Sequence, residues 1–192
     1  MAVHFTMPTI VWSSDLHLNH ASDGARQLVA LALRDLPGAA VIDSGDISVA
    51  SRLVTDLEFL ADAASRPVYF VLGNHDHFGG TIENVRDAVI ALGSRRPQIQ
   101  WLPPAGVVAL DPETALVGGD GWADGRQGDP LATPLRLNDD RLIGELAAQP
   151  TRTGKLAVKR ALADADASRL ATLLERATAR ARRIVIATHV PP

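Results

Sequence analysis

The sequence of 192 residues contains no cysteine, which excludes disulfide bonds, thiolate metal sites and cysteine nucleophiles. No apolar run approaches the ~18 residues of a transmembrane helix. The first residues lack the basic segment followed by an apolar stretch that marks a secretory signal. We therefore expect a cytoplasmic protein without membrane contact.

The chain also lacks the composition of a disordered protein, because 46% of its residues are hydrophobic and its net charge is only −3. Its length predicts one domain over residues 1–192 with a sizeable core. The charge is uneven: residues 151–183 carry a net +6, which leaves −9 for the rest. We interpret the basic segment as a solvated helical face.

In the first half of the chain, short apolar runs alternate with segments of helical periodicity. The strands are expected at residues 9–13, 39–42 and 67–72, and the helices at 24–34, 51–64 and 81–92, with Ser51 as the N-cap of the second helix. This alternation predicts a parallel sheet with helical crossovers.

In the second half, three short strand candidates lack long helices between them, which favours antiparallel pairing. These strands are expected at residues 98–102, 107–110 and 114–117. Helices should follow at residues 139–148 and 153–181, the latter breaking or bending near residues 164–166 with Asp166 as a new cap, before a last buried strand at 183–188.

Four of the expected strands run directly into residues that can hold metals. The residues concerned are Asp15, His17, Asp46, Asn74, His75, Asp76 and His189. Ligands of parallel α/β sheets bind beyond the carboxyl ends of the strands, so these loops should converge on one edge. Carboxylate, imidazole and carboxamide groups suit Mn, Fe or Zn better than a soft metal.

This ordered set resembles the motifs of the calcineurin-like metallophosphoesterases. Asp-x-His, Gly-Asp, Gly-Asn-His-Asp and a later His occur in that order between residues 15 and 189. The resemblance implies an α/β fold arranged as a four-layer α/β/β/α sandwich. It also implies two divalent metal ions and hydrolysis of a phosphomonoester or phosphodiester by a hydroxide that bridges them.

The resemblance assigns the metal ligands residue by residue. Asp15 and His17 would hold the first metal, Asn74 and His189 the second, and Asp46 would bridge the two. Two such cations would lower the pKa of a bridging water and neutralise phosphoryl charge. No serine or cysteine nucleophile motif is visible, which agrees with attack by water.

Further residues are assigned to the reaction or to the substrate. The resemblance implies that His75 protonates the leaving group and that Asp76 orients its imidazole. The candidates for substrate contacts beside the motifs, or in the Gly- and Asp-rich segment 118–129, are His20, His77, Trp122 and Arg126. Asp43, inside an apolar strand, is expected to be a hydrogen-bonded structural group.

The sequence departs from the family pattern at its end, because the final Gly-His-x-His motif is absent. We expect the chain to be a C-terminally truncated piece of a longer protein, in which each metal lacks one imidazole. The alternative is a naturally short relative with a weak or single-metal site.

Two other functions remain open. One is a non-catalytic interaction module that keeps the fold with a defective metal site. The other is a nuclease, which the −9 charge outside residues 151–183 disfavours because phosphate backbones attract basic surfaces.

Overall fold

A computed structural model describes residues 9–190 of the chain. Its first sheet contains four parallel strands in the order β1-β2-β3-β4, which are Ile10–Ser13, Ala40–Asp43, Val68–Phe70 and Ile99–Trp101. The helices α1 (Asp23–Asp35), α2 (Leu53–Ala64) and α3 (Ile82–Arg95) connect them. The predicted parallel sheet is confirmed, but the antiparallel assignment of the fourth strand is wrong, because α3 provides the crossover that parallel pairing with β3 requires.

Two of these three helices begin at a side-chain cap. The hydroxyl of Ser22 accepts the N–H of Ala25, and that of Thr81 accepts the N–H of Asn84. The prediction of Ser51 as the cap of α2 is wrong. A backbone turn precedes that helix, in which the N–H of Arg52 donates to a carbonyl three residues earlier, and Arg52 occupies the N-cap.

The second sheet has three strands in the order β5-β6-β7, which are Val108–Asp111, Thr114–Gly119 and Arg183–Thr188. The β5–β6 pair is antiparallel, as predicted, and β6 pairs with β7 in parallel. Short helices α4 (Leu102–Ala105), α5 (Asp139–Leu142) and α6 (Gly144–Ala147) precede the 27-residue α7 (Arg152–Thr178). Within residues 9–190, no helix could span a lipid bilayer.

Two predictions for the helices of the second half are wrong. The helix expected over residues 139–148 is split at Ile143, whose extended backbone pairs with Gly80 in an isolated bridge. The new helix start expected at Asp166 is absent, because α7 continues without a break through residues 164–166, where two carboxylates pair with arginines. Asp164 contacts Arg126, and Asp166 contacts Arg86 and Arg169.

Alternating strand residues divide the apolar core into layers. Val41 on β2 faces the helices α1 to α3, whereas its neighbour Ile42 packs with Leu116 of β6 between the two sheets. On the far side of the second sheet, Val117 packs against Leu173 of α7. The order is therefore helices, sheet, sheet, helix, which confirms the predicted α/β/β/α sandwich.

Arg86 on α3 joins the first half of the fold to the second. Its guanidinium lies 3.3 Å from the carboxylate of Asp120, after β6, and 3.6 Å from that of Asp166 on α7. It also lies 5.5 Å from the ring centre of Trp101. Burial raises the pKa of Asp120 to about 6 and also raises that of Asp166, so one cation offsets two costly buried charges.

We expect Arg86→Met to lower the free energy of unfolding by about 3–5 kcal/mol, because it removes the cation between two buried carboxylates. The loss should be larger at pH 8 than at pH 5. A buried acid with a raised pKa stabilises the fold while protonated and loses that contribution as the pH rises through its folded pKa. Without Arg86 both carboxyl pKa values rise further, so protonation relieves the defect only at the lower pH.

Urea unfolding of metal-free protein at the two pH values measures this. Arg95→Met, an exposed change on the same helix, is the control and should change stability little. Equal losses at both pH values would contradict the argument.

Candidate metal centre

The loops that follow β1 and β2 lie side by side and are joined by backbone hydrogen bonds. The N–H of Asp15 donates to the carbonyl of Gly45 at 3.0 Å, and the N–H of His17 donates to that of Asp46 at 3.0 Å. Asp15, His17 and Asp46 have φ values of 54°, 41° and 57°. Non-glycine residues rarely adopt this left-handed region, and its concentration at one place is typical of a functional site.

Glycines allow these loops to approach the loop after β3. A Cβ atom on Gly73 would lie 2.1 Å from Oδ1 of Asp46, and a Cβ atom on Gly45 would lie 2.6 Å from the backbone nitrogen of Gly73. Gly45 also has a φ of 98°. Any larger residue at position 73 would therefore displace the carboxylate of Asp46.

The carboxylate of Asp46 lies at the centre of the converging loops, and its side chain is 7% exposed. Its Oδ2 is 3.8 Å from Nε2 of His17 and 3.9 Å from Nε2 of His75. Its Oδ1 is 3.5 Å from Nε2 of His189 and accepts the backbone N–H of His75 at 2.9 Å. The two oxygens thus face different imidazoles.

These distances fit a cation between the groups. The three carboxylate–imidazole distances of 3.5–3.9 Å exceed the ~2.7–3.2 Å of a direct hydrogen bond. A cation at ~2.0–2.2 Å from each ligand would span them. One ligand atom from each of His17, Asp46 and His75 lies within 4.8 Å of the others. Nδ1 of His189 lies 2.9 Å from the carbonyl of Ser44, which only accepts, so Nδ1 carries a proton. In the neutral imidazole this leaves the lone pair on Nε2, the nitrogen that faces Asp46.

The remaining two expected ligands have other partners. Nδ2 of Asn74 donates to Oδ1 of Asp139 at 2.9 Å, which places the nitrogen of the carboxamide on that side. Asp15 is exposed, and its carboxylate accepts a short hydrogen bond from the hydroxyl of Ser14. It stands outside the 4.8 Å group formed by His17, Asp46 and His75.

The expected contact between Asp76 and the imidazole of His75 is not found in the described part of the chain. Asp76 is fully buried, and its carboxylate accepts the backbone N–H groups of Asp46, Ser48 and Gly73 at 2.8–3.1 Å. The 3-10 turn His75–His77 explains the difference, because it carries Asp76 inward while the side chain of His75 remains 35% exposed. Burial raises the pKa of Asp76 well above its usual value.

The ring of His75 is held by its neighbours instead. It stacks on Phe78 with ring centres 4.2 Å apart, and it meets the ring of His17 edge-on at 4.7 Å. These contacts fix the plane of the imidazole without a carboxylate partner.

The structure places two of the expected substrate contacts in the interior. His77 has no exposed surface, its ring lies 5.6 Å from that of Trp122, and burial lowers its pKa to about 3. Trp122 is 7% exposed and packs with Phe78 and Ile143. The segment after β6 folds inward against α6 and α7, so neither side chain is open to solvent beside the expected metal ligands, although Trp122 lines a cavity between its own loop and α7. A substrate contact by either residue stays a prediction.

Of the other two, His20 is exposed, and its backbone N–H donates to the backbone carbonyl of His17. Arg126 forms ion pairs with Asp124 and Asp164, which tie its loop to α7. It lines a cavity of about 530 Å³ between that loop and α7, which none of the expected metal ligands lines.

Sequence reasoning missed the contact of Asp139 with Asn74, from which it lies 65 residues away along the chain. In the sequence it is one of two acidic residues at a helix start, which indicates only a favourable helix dipole. The structural role predicted for Asp43 is confirmed. It is fully buried, accepts the hydroxyl of Ser13 at 2.6 Å and the N–H of Gly45 at 3.0 Å, and burial raises its pKa to about 7.

Comparison with known proteins extends this description. The crystal structure of a phosphopantetheinyl hydrolase from Mycobacterium tuberculosis aligns with a TM-score of 0.66 and 17% sequence identity, over 96% of this chain and 68% of that chain. No curated protein is significantly similar in sequence. The sequence model of the calcineurin-like phosphoesterases matches residues 8–192. With a match of that extent, the chain belongs to the calcineurin-like phosphoesterase family.

Proposed function

We propose that the chain hydrolyses a phosphomonoester or phosphodiester with two divalent cations bound at the ends of β1, β2, β3 and β7. The observation that carries this proposal is the central carboxylate of Asp46, whose Oδ2 faces His17 and His75 while Oδ1 faces His189. A carboxylate in that position can serve two cations at once. Membership of the phosphoesterase family supports the reaction class.

The cations would be shared among five residues. Asp15, His17 and Asp46 would hold the first, and Asp46, Asn74 and His189 the second. Mn, Fe or Zn suits this nitrogen and oxygen set. When bound, the cations would neutralise phosphoryl charge and lower the pKa of the attacking water.

The chain's own groups position the substrate and move a proton. His75 would donate a proton to the leaving-group oxygen, a task that its partial exposure and its stacking on Phe78 permit. Asp76 would act indirectly, because its carboxylate accepts the backbone N–H of Asp46, whose own Oδ1 accepts the backbone N–H of His75. The structural neighbour is a phosphopantetheinyl hydrolase, so phosphopantetheine esters belong in a substrate panel beside simple mono- and diesters.

We expect Asp46→Asn to bind fewer than two Mn²⁺ ions and to reduce kcat/KM at least ~100-fold. The reason is that losing even a group that supports a metal ligand costs ~10–100-fold. The amide keeps an oxygen for the N–H of His75, so the fold should persist. Metal analysis of the purified variant and hydrolysis of bis-p-nitrophenyl phosphate measure both effects.

Asp62→Asn, a change at a carboxylate that is 67% exposed on α2, is the matched control. It should keep wild-type metal content and rate. An Asp46→Asn protein with two bound ions and normal turnover would overturn the central assignment.

We expect His75→Asn to lower kcat by ~10²–10⁴-fold for an alkyl phosphate, whose leaving group needs a proton. The loss should be much smaller for p-nitrophenyl phosphate, because its leaving group, p-nitrophenolate, departs as a stable anion. Bound metal should remain near the wild-type level. Equal losses for both substrates would contradict proton donation by His75. A parallel loss of metal would assign His75 to metal binding instead.

A further inference from the structure

We infer that Asp139 is a positioning residue for Asn74, and that it turns the carboxamide oxygen of Asn74 toward the second cation. The inference rests on the proposed function, which makes Asn74 a ligand of that cation. Its basis is the hydrogen bond from Nδ2 of Asn74 to Oδ1 of Asp139 at 2.9 Å. An ionised carboxylate has only acceptors, so it selects the nitrogen of the carboxamide and excludes the flipped orientation.

Asp139 is suited to this task because its own position is rigid. It is 7% exposed at the start of α5, and its backbone carbonyl accepts the N–H of Ile143. Directly after that residue, the N–H of Gly144 donates to the carbonyl of Gly80 at 2.9 Å. The carboxylate of Glu145 accepts the N–H of Ile82 at the start of α3. The short helices are thus fastened to the segment that carries Asn74.

Two lysines of α7 fasten α5 from the other side. Nζ of Lys155 donates to the carbonyls of Asp140 and Leu146 at 2.6 and 2.5 Å. Nζ of Lys159 lies 2.7 Å from the carboxylate of Asp140. Asp140 therefore takes the lysine, and the described residues give Asp139 no cation of its own. Its carboxylate remains available to a neutral amide, for which a charged acceptor forms a stronger hydrogen bond.

The distribution of roles between Asp139 and Asp140 follows from this geometry. The carboxylate of Asp140 anchors α5 to α7, whereas that of Asp139 faces the carboxamide of Asn74. Within the described residues, Asp139 is the only acceptor bonded to the carboxamide nitrogen of Asn74. Replacing it removes the group that distinguishes the two ends of that carboxamide. The second cation would then meet a carboxamide that is free to present its nitrogen, which cannot bind a cation.

The test is a Mn²⁺ titration by calorimetry on wild type, Asp139→Ala and Asp139→Asn. In Asp139→Ala we expect one of two sites to weaken ~10–100-fold, the range for loss of a group that orients a ligand. Asp139→Asn keeps an acceptor oxygen and should lose less. The other site and the melting temperature of the metal-free protein should stay near wild type, which a merely structural defect would not allow.

Asn138→Ala is the matched control, because Asn138 is exposed and its side chain contacts Arg141, away from Asn74. It should leave both Mn²⁺ sites unchanged. A double-mutant cycle completes the test. In an Asn74→Ala background, Asp139→Ala should weaken Mn²⁺ binding no further, because its effect passes through Asn74.

The outcomes separate the two proposals. Two-site Mn²⁺ binding that is the same in wild type and in Asp139→Ala would overturn the role of Asp139 and leave the proposed function standing. Equal weakening of both sites, or a further loss in the Asn74→Ala background, would also overturn it. A wild-type protein that binds fewer than two Mn²⁺ ions would overturn the two-cation site and this role together.

Discussion

The loops that follow β2 and β3 are held together by one buried carboxylate, that of Asp76. It accepts backbone N–H groups from Asp46, Ser48 and Gly73, which would otherwise be buried without partners. Desolvation of such a group is costly, as the raised pKa of Asp76 reflects, and the three donors offset part of that cost. The side chain of Asp46 can face several imidazoles because its backbone is fixed in this way.

The 3-10 turn His75–His77, which contains Asp76, places neighbouring side chains in opposite surroundings. His75 reaches the edge of the metal centre, Asp76 lies wholly inside, and His77 is buried beside Trp122. A run of three polar residues in a motif thus separates into one accessible side chain and two internal ones. Sequence spacing alone does not contain this information, since the turn direction depends on packing against α3 and the segment after β6.

Much of the fold was predictable because hydrophobic periodicity is a local property. The alternation of strands and helices up to α3 and the β5–β6 hairpin follow from it, whereas the four layers were implied by the resemblance to the calcineurin-like metallophosphoesterases. Two of the errors arise where a distant partner decides. β4 pairs with β3 across α3, and Asp166 is held by Arg86 instead of capping a helix. The error at Ser51 is local, because a backbone turn precedes α2 and makes Arg52 the N-cap.

For the metal centre, the strand-end rule placed Asp46, His17 and His189 correctly beside one another, because the carboxyl ends of the strands meet at one edge. The partner of Asp76 and the burial of His77 could not be deduced, since both depend on side-chain direction within a single turn. The pairing of Asn74 with Asp139 was beyond reach for another reason. It joins segments 65 residues apart, and no periodic pattern connects them.

The way β7 enters its sheet has a consequence for the order in which the molecule assembles. Arg183 pairs with Thr114, and the intervening chain includes the whole of α7. Closing so long a connection costs more entropy than the crossovers of about thirty residues in the first sheet, and non-local pairings form slowly. During synthesis the first sheet emerges complete before β7 leaves the ribosome. His189, at the end of β7, therefore reaches Asp46 last, and the proposed two-cation site cannot be complete in the nascent chain until its two sheets have joined.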